Sequence, residues 1–134
     1  MIKIKQEYPP NIEEIKRYLE TNQDTIYAYG SFVYNPSGKE IPPDVLTHEN
    51  VHSQQQKNFA SPELWWSKYL IDREFRKQEE VEAFAKQWRW IKPYLPSQGV
   101  KDALNEFAQL LSSPLYDLDL THSQAETLIR YYEK

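Results

Sequence analysis

Apolar residues fall along this chain in two rhythms, and the places where the rhythm changes mark its elements. Residues 2 to 5 alternate as Ile2-Lys3-Ile4-Lys5, which predicts a short edge strand or arm. Pro9-Pro10 interrupts the chain, and Asn11 follows in position to cap a helix. Ile12, Ile15 and Leu19, with Tyr18 beside them, recur at helical spacing and predict a short packing helix from Ile12 to about Glu20. From Thr25 to Asn35 the chain reads as its strongest strand, rich in Tyr, Val and Ile. Gly30 inside that run predicts a bulge or a close approach by another backbone. Asn35-Pro36-Ser37-Gly38 predicts a turn, and Lys39-Glu40-Ile41 a short returning strand.

Helical rhythm then takes over. Pro42-Pro43-Asp44 opens a helix running to about Phe59, with Asp44 as its cap or as a first-turn carboxylate favoured by the dipole. Ser61-Pro62-Glu63 starts another, with Ser as cap and Pro in the first turn. Apolar positions from Leu64 through Trp88 to Ile91 carry it to about Lys92, where Pro93 and Pro96 end it. About thirty residues is long for one helix of a small domain, so a break is predicted near Ile71-Asp72-Arg73. Val100 to Leu111 reads as an amphipathic helix. Thr121 and Gln124 form a capping box opening a last helix to about Tyr132, which buries Ala125, Leu128 and Ile129. The sum is an α+β, mostly helical chain organised as one domain over residues 1–134.

Composition narrows the function classes. The net charge is -4, and no Lys/Arg block is interleaved with aromatics, which argues against a nucleic-acid partner. There are no cysteines, so disulfides and thiolate chemistry are excluded. The first residues have no apolar core of signal-peptide length, and no run is long enough to cross a membrane. The expected location is the cytoplasm, with no membrane partner.

Candidate chemistry is concentrated in Thr47-His48-Glu49-Asn50-Val51-His52. Residues four apart on a helix share a face, so His48 and His52 can aim two imidazoles at one point. Glu49 is turned about 100° from His48 and about 60° from His52, so it flanks that point. Two neutral nitrogens for a metal ion, with a carboxylate beside the water that the ion polarises, are what a zinc hydrolase needs. Only three histidines are present, and the motif takes two of them.

A third ligand is expected from the following long helix. Glu80 shares a helical column with Ala83, Phe84 and Ile91 and leans to the buried side. Glu82 aligns with Gln78 and Lys86 on the solvent side, and Glu79 is intermediate. Glu80 is therefore the leading ligand, with Glu79 and Glu82 as alternatives. His122 and the tyrosines Tyr116, Tyr131 and Tyr132 are candidates to stabilise an oxyanion. The strand before the metal helix offers an edge on which a peptide could lie extended.

His48-Glu49-x-x-His52 followed by a glutamate on the next helix resembles the gluzincin clan of zinc metallopeptidases. Glu80-Val81-Glu82-Ala83-Phe84 matches the Glu and the Ala of that clan's Glu-x-x-Ala-Asp setting, which supports Glu80. It departs at Phe84, where the clan often has an Asp holding a ligand histidine, so Asp72 or a backbone carbonyl is expected to orient the imidazole. The resemblance covers residues 12 to 92. It implies a minimal zincin-like domain in which a short hairpin or sheet packs on an active-site helix and a glutamate helix. It also implies Zn²⁺ on His48, His52 and Glu80, Glu49 as general base, and a peptide or protein substrate. More loosely, Tyr34-Asn35-Pro36-Ser37-Gly38 and Ser113-Pro114-Leu115-Tyr116 resemble small phage-encoded proteins of this type, which implies a host cytoplasm or a virion. Two rival functions stand beside hydrolysis. One is a zinc-stabilised structural protein; the other is a metal-free interaction module presenting Trp65, Trp66 and Trp90 to a partner.

Overall fold

A computed structural model describes residues 2–134 of the chain. The alternating N-terminal residues form β1 (Lys3–Lys5), and the aromatic run forms β2 (Tyr27–Tyr29) and β3 (Phe32–Tyr34). The sheet order is β1-β3-β2, with β1 parallel to β3 and β2 antiparallel to it. The single strand expected from Thr25 to Asn35 is thus a hairpin. Gly30, at φ 64, takes the first position of its two-residue turn, where the type II′ geometry asks for a positive φ. The turn expected at Asn35-Pro36-Ser37-Gly38 is present, closed by Gly38 N–H to Asn35 carbonyl at 3.1 Å. Lys39-Glu40-Ile41 returns without forming a strand.

Six α-helices and a single 3-10 turn (Lys92–Tyr94) complete the described residues: α1 (Ile12–Tyr18), α2 (Pro43–Gln56), α3 (Pro62–Ile71), α4 (Arg73–Ile91), α5 (Ser97–Leu111) and α6 (His122–Tyr132). The long helical segment breaks at Asp72, whose carboxylate caps α4 by accepting from Phe75 N–H at 3.0 Å. Ser61 caps α3, and Thr121 with Gln124 closes the capping box of α6. One expected cap is absent, since Asn11 makes no side-chain cap bond to α1. α2 is capped at Pro42, and Asp44 takes the other place expected for it, in the first turn. α2 also stops at Gln56, short of Phe59. No described helix is long and apolar enough to cross a membrane.

Apolar burial is divided between two clusters. One joins Val81, Phe84 and Trp88 of α4 to Leu104, Phe107 and Leu111 of α5 and Ala125 and Ile129 of α6. The other joins Ile15 of α1, Tyr27 and Tyr34 of the hairpin, and Trp65, Trp66, Tyr69 and Leu70 of α3. Trp65 and Trp66 are buried there, so they present no partner surface, and of the three tryptophans considered for that role only Trp90 is exposed. The last helix buries Ala125 and Ile129 as expected, with Leu128 half-buried against them.

α2 lies between the clusters and packs chiefly on α4. Its buried residues are His48, Glu49, Val51, His52, Ser53, Gln55 and Gln56, so it is held almost wholly by polar groups. Ser53 donates to Gly30 carbonyl, and Gln56 accepts from Gly30 N–H at 2.6 Å, fixing the hairpin turn onto the helix. A buried guanidinium ties the other side. Arg76 of α4 donates to the carbonyls of Tyr69 (2.7 Å) and Leu70 (3.2 Å) at the end of α3, and to those of Tyr116 (2.8 Å) and Asp117 (3.1 Å) in the α5–α6 loop.

Because Asp72 both ends α3 and caps α4, Asp72→Ala is expected to lower stability by about 1 kcal/mol, read as a shift in the urea midpoint without a change in slope.

Candidate metal centre

One turn of α2 separates His48 from His52, and α4 sets Glu80 opposite both. The Nε2 atoms of the two imidazoles lie 3.2 Å apart. His48 Nε2 is 3.1 Å from Glu80 Oε1, and His52 Nε2 is 3.0 Å from Glu80 Oε2. One ligating atom from each residue falls within 4.8 Å of the others. His48 and His52 are 5% exposed and Glu80 is 2% exposed. Each ring also touches one apolar cluster: His48 meets Phe84 with centroids 4.5 Å apart, and His52 meets Trp65 at 5.4 Å.

Each of the three residues has an orienting partner. His48 Nδ1–H donates to Gln87 Oε1 at 2.9 Å, and Gln87 Nε2 donates to Asp44 Oδ2 at 2.8 Å. His52 Nδ1–H donates to Gln55 Oε1 at 2.8 Å, while Gln55 Nε2 donates to the Glu79 carbonyl (3.0 Å) and to Glu82 Oε1 (2.7 Å). Tyr69 donates its hydroxyl to Glu80 Oε2 at 2.5 Å. With both protons held on Nδ1, the two Nε2 lone pairs and the Glu80 carboxylate converge as acceptors. Acceptors packed this closely in a buried site need a positive charge among them. The group His48, His52 and Glu80 can bind a metal ion, and its donor set fits one.

The electrostatics agree. Burial raises the Glu80 pKa, but the His52 charge and the bond from His52 outweigh it and hold the carboxyl well below the usual range. Burial lowers that of His52, yet the charge and bond of Glu80, the charge of Glu49 and the Gln55 bond raise it from 6.5 to about 9. Glu49 is 9% exposed and forms no hydrogen bond or ion pair with another described residue. Burial is the main reason its pKa is raised, the two histidines pull it down, and Glu80 pushes it up. Tyr69 and Tyr116 are both pushed well above the phenol value, by burial first and by Glu80 second.

A cavity of about 80 Å³ opens over the group, lined by Glu49, His48, His52, Glu80, Tyr69 and Tyr116, and walled by Ile15, Leu19 and Trp66. The other expected candidates lie elsewhere. Glu79 accepts from Trp65 Nε1 at 2.8 Å, and Glu82 serves Gln55 and Lys86, so neither joins the ligand group. His122 Nε2 lies 3.2 Å from Asn105 carbonyl at the start of α6, outside the cavity lining. Tyr131 and Tyr132 are exposed. Asp72 is taken up in capping α4, and the orienting role expected of it belongs to Gln87 and Gln55. The strand edge is also less free than expected: Ala28 carbonyl accepts from Gln56 Nε2 (2.8 Å) and Trp66 Nε1 (2.9 Å), so it has no place for a peptide N–H. Gln55, Gln87 and Tyr69 were not expected. Gln87 stands two turns after Glu80 on the same face of α4, the one signal pointing to it.

Since His52 is raised to about 9, the metal-free centre carries a proton there at pH 7 that a metal ion must displace. Calorimetric titration with a divalent metal in buffers of different ionisation enthalpy is expected to show about one proton released per ion at pH 7. Affinity should rise with pH and level off above about 9. The stability that protonated His52 adds to the metal-free protein while Glu80 is ionised has the opposite sign: it is complete below about 6.5 and lost as pH rises through about 9, and the Glu80 share is lost in turn as pH falls below its ordinary value of 4.5. No family model, curated protein or solved structure matches the chain, so the reading of the centre rests on its geometry.

Proposed function

We propose that this chain is a zinc-dependent metallopeptidase of the gluzincin type, hydrolysing peptide bonds with Glu49 as general base. One observation carries the reading. Each of the three ligands has an orienting partner, whereas Glu49 stands beside them in the same cavity with none among the described residues. A carboxylate with its pKa raised and no bond to satisfy it is suited to accept a proton and give it up again. Two histidines and one glutamate with a position left open form the donor set of catalytic zinc sites.

Zinc, when bound, supplies a Lewis acid that polarises water and the scissile carbonyl. Glu49 takes the proton of the attacking water and passes it to the leaving amine. Tyr116, kept as a neutral O–H beside Glu80 and Glu49, donates to the carbonyl oxygen as charge develops there. The small cavity and the occupied Ala28 carbonyl favour a narrow peptide segment or a chain end over a broad extended substrate. Its lining holds Glu20, Glu49 and Glu80 and neither Lys nor Arg, so it favours neutral or cationic groups over anions.

A second reading, in which the ion staples α2 to α4 without turnover, is favoured by the near-complete burial of the ligands. Zinc-dependent stability with no cleavage of unfolded protein substrates would select it. For the peptidase, Glu49→Gln is expected to keep zinc and to lose turnover by roughly 10²- to 10⁴-fold, while His48→Ala loses both. Tyr116→Phe should lower kcat by roughly 10²- to 10³-fold and leave KM nearly unchanged. Cleavage by Glu49→Gln at the wild-type rate would remove Glu49 from the mechanism.

A further inference from the structure

Gln87 is 4% exposed and stands between His48 and Asp44. An amide side chain has two unlike ends, an oxygen that accepts and an NH₂ that donates. An ionised carboxylate only accepts. Asp44 Oδ2, 2.8 Å from Gln87 Nε2, therefore compels the NH₂ to face it and turns the amide oxygen to His48 Nδ1 at 2.9 Å. That oxygen needs a hydrogen, so the imidazole proton is held on Nδ1. Nε2 then carries the lone pair turned toward Glu80 and His52.

We infer that Asp44 is a positioning residue for the metal centre: from the far end of Gln87, touching no ligand, it sets the His48 tautomer that leaves Nε2 free for a metal ion. The inference rests on the metal-binding part of the proposed function and is independent of hydrolysis. Asp44 sits in the first turn of α2, one turn before His48, and makes no cap bond there. The second imidazole is secured differently. The NH₂ of Gln55 is claimed by the Glu79 backbone carbonyl as well as by Glu82, so the main chain fixes its orientation even without the carboxylate. Only the His48 tautomer hangs on a single replaceable side chain.

Asp44→Asn keeps the shape of the side chain and supplies an NH₂ of its own. Gln87 is then free to turn about, present its NH₂ to His48 Nδ1 and move the imidazole proton to Nε2, where it blocks the metal. Zn²⁺ affinity, measured by competition with a chromophoric chelator, is expected to fall roughly 10- to 100-fold. NMR of the metal-free protein should show the His48 nitrogen shifts moving to the Nε2–H form while those of His52 stay in place. The exchange Asp44→Asn with Gln87→Glu restores an acceptor facing Nδ1 and conserves charge, and it should recover both the affinity and the Nδ1–H form. Wild-type affinity and tautomer in Asp44→Asn would overturn the inference, as would a loss that the paired exchange leaves uncorrected. If the wild-type chain takes up no Zn²⁺, the proposed function fails, and the tautomer comparison alone decides the role of Asp44.

Discussion

The contact on which this structure depends is the meeting of the Glu80 carboxylate with two imidazoles across the α2–α4 seam. A helix in the middle of a small protein is ordinarily held by an apolar stripe. α2 has none, since of its seven buried residues only Val51 is aliphatic. Apart from Glu49, its buried polar residues must make their bonds together, because one left unmade in a buried site costs about 1–3 kcal/mol. Glu80 answers to His48, His52 and Tyr69, the imidazoles answer to Gln87 and Gln55, and these answer to Asp44, Glu82 and the α4 backbone. Such a network is directional, so it holds α2 in one register against α4, where apolar packing would tolerate small slips.

The division of apolar burial follows from the same seam. One cluster meets the centre through Phe84 against His48, and the other through Trp65 and Tyr69 against His52. The imidazole rings have an apolar face and polar nitrogens, so they let polar and apolar packing share a boundary. The centre lies at the junction of the two clusters, with each ring packed against an aromatic side chain.

Much of this was legible in the residues, for identifiable reasons. The four-residue spacing of His48 and His52 needs only helix geometry to be read, and the column shared by Glu80, Ala83 and Phe84 separates Glu80 from Glu79 and Glu82 in the same way. The break near Asp72 followed from length alone. The hairpin was missed because Tyr27–Tyr29 and Phe32–Tyr34 are alike in composition, and the two-residue Gly30-Ser31 signal between them is brief. Asp44 reads locally as a cap or a first-turn carboxylate, and it does lie in the first turn; its partner, however, lies on another helix, which no local pattern records. Gln55 and Gln87 escaped for the same reason, since a glutamine on a helix looks alike whether it meets solvent or an imidazole. Tyr116 stood out no more than Tyr131 or Tyr132, because its place over the centre is set by a loop held through Arg76.

That guanidinium has a consequence for how freely the chain can change. All four oxygens it grips belong to the main chain, at Tyr69, Leu70, Tyr116 and Asp117. Main-chain oxygens are present whatever side chain each position carries, so the connection between α5 and α6 can alter its side chains without releasing its path. The opposite holds for the cation, because a lysine ammonium has three donors on one atom and cannot span four oxygens arranged around a planar fork. Tolerance on one side of the contact and intolerance on the other are two faces of a single arrangement.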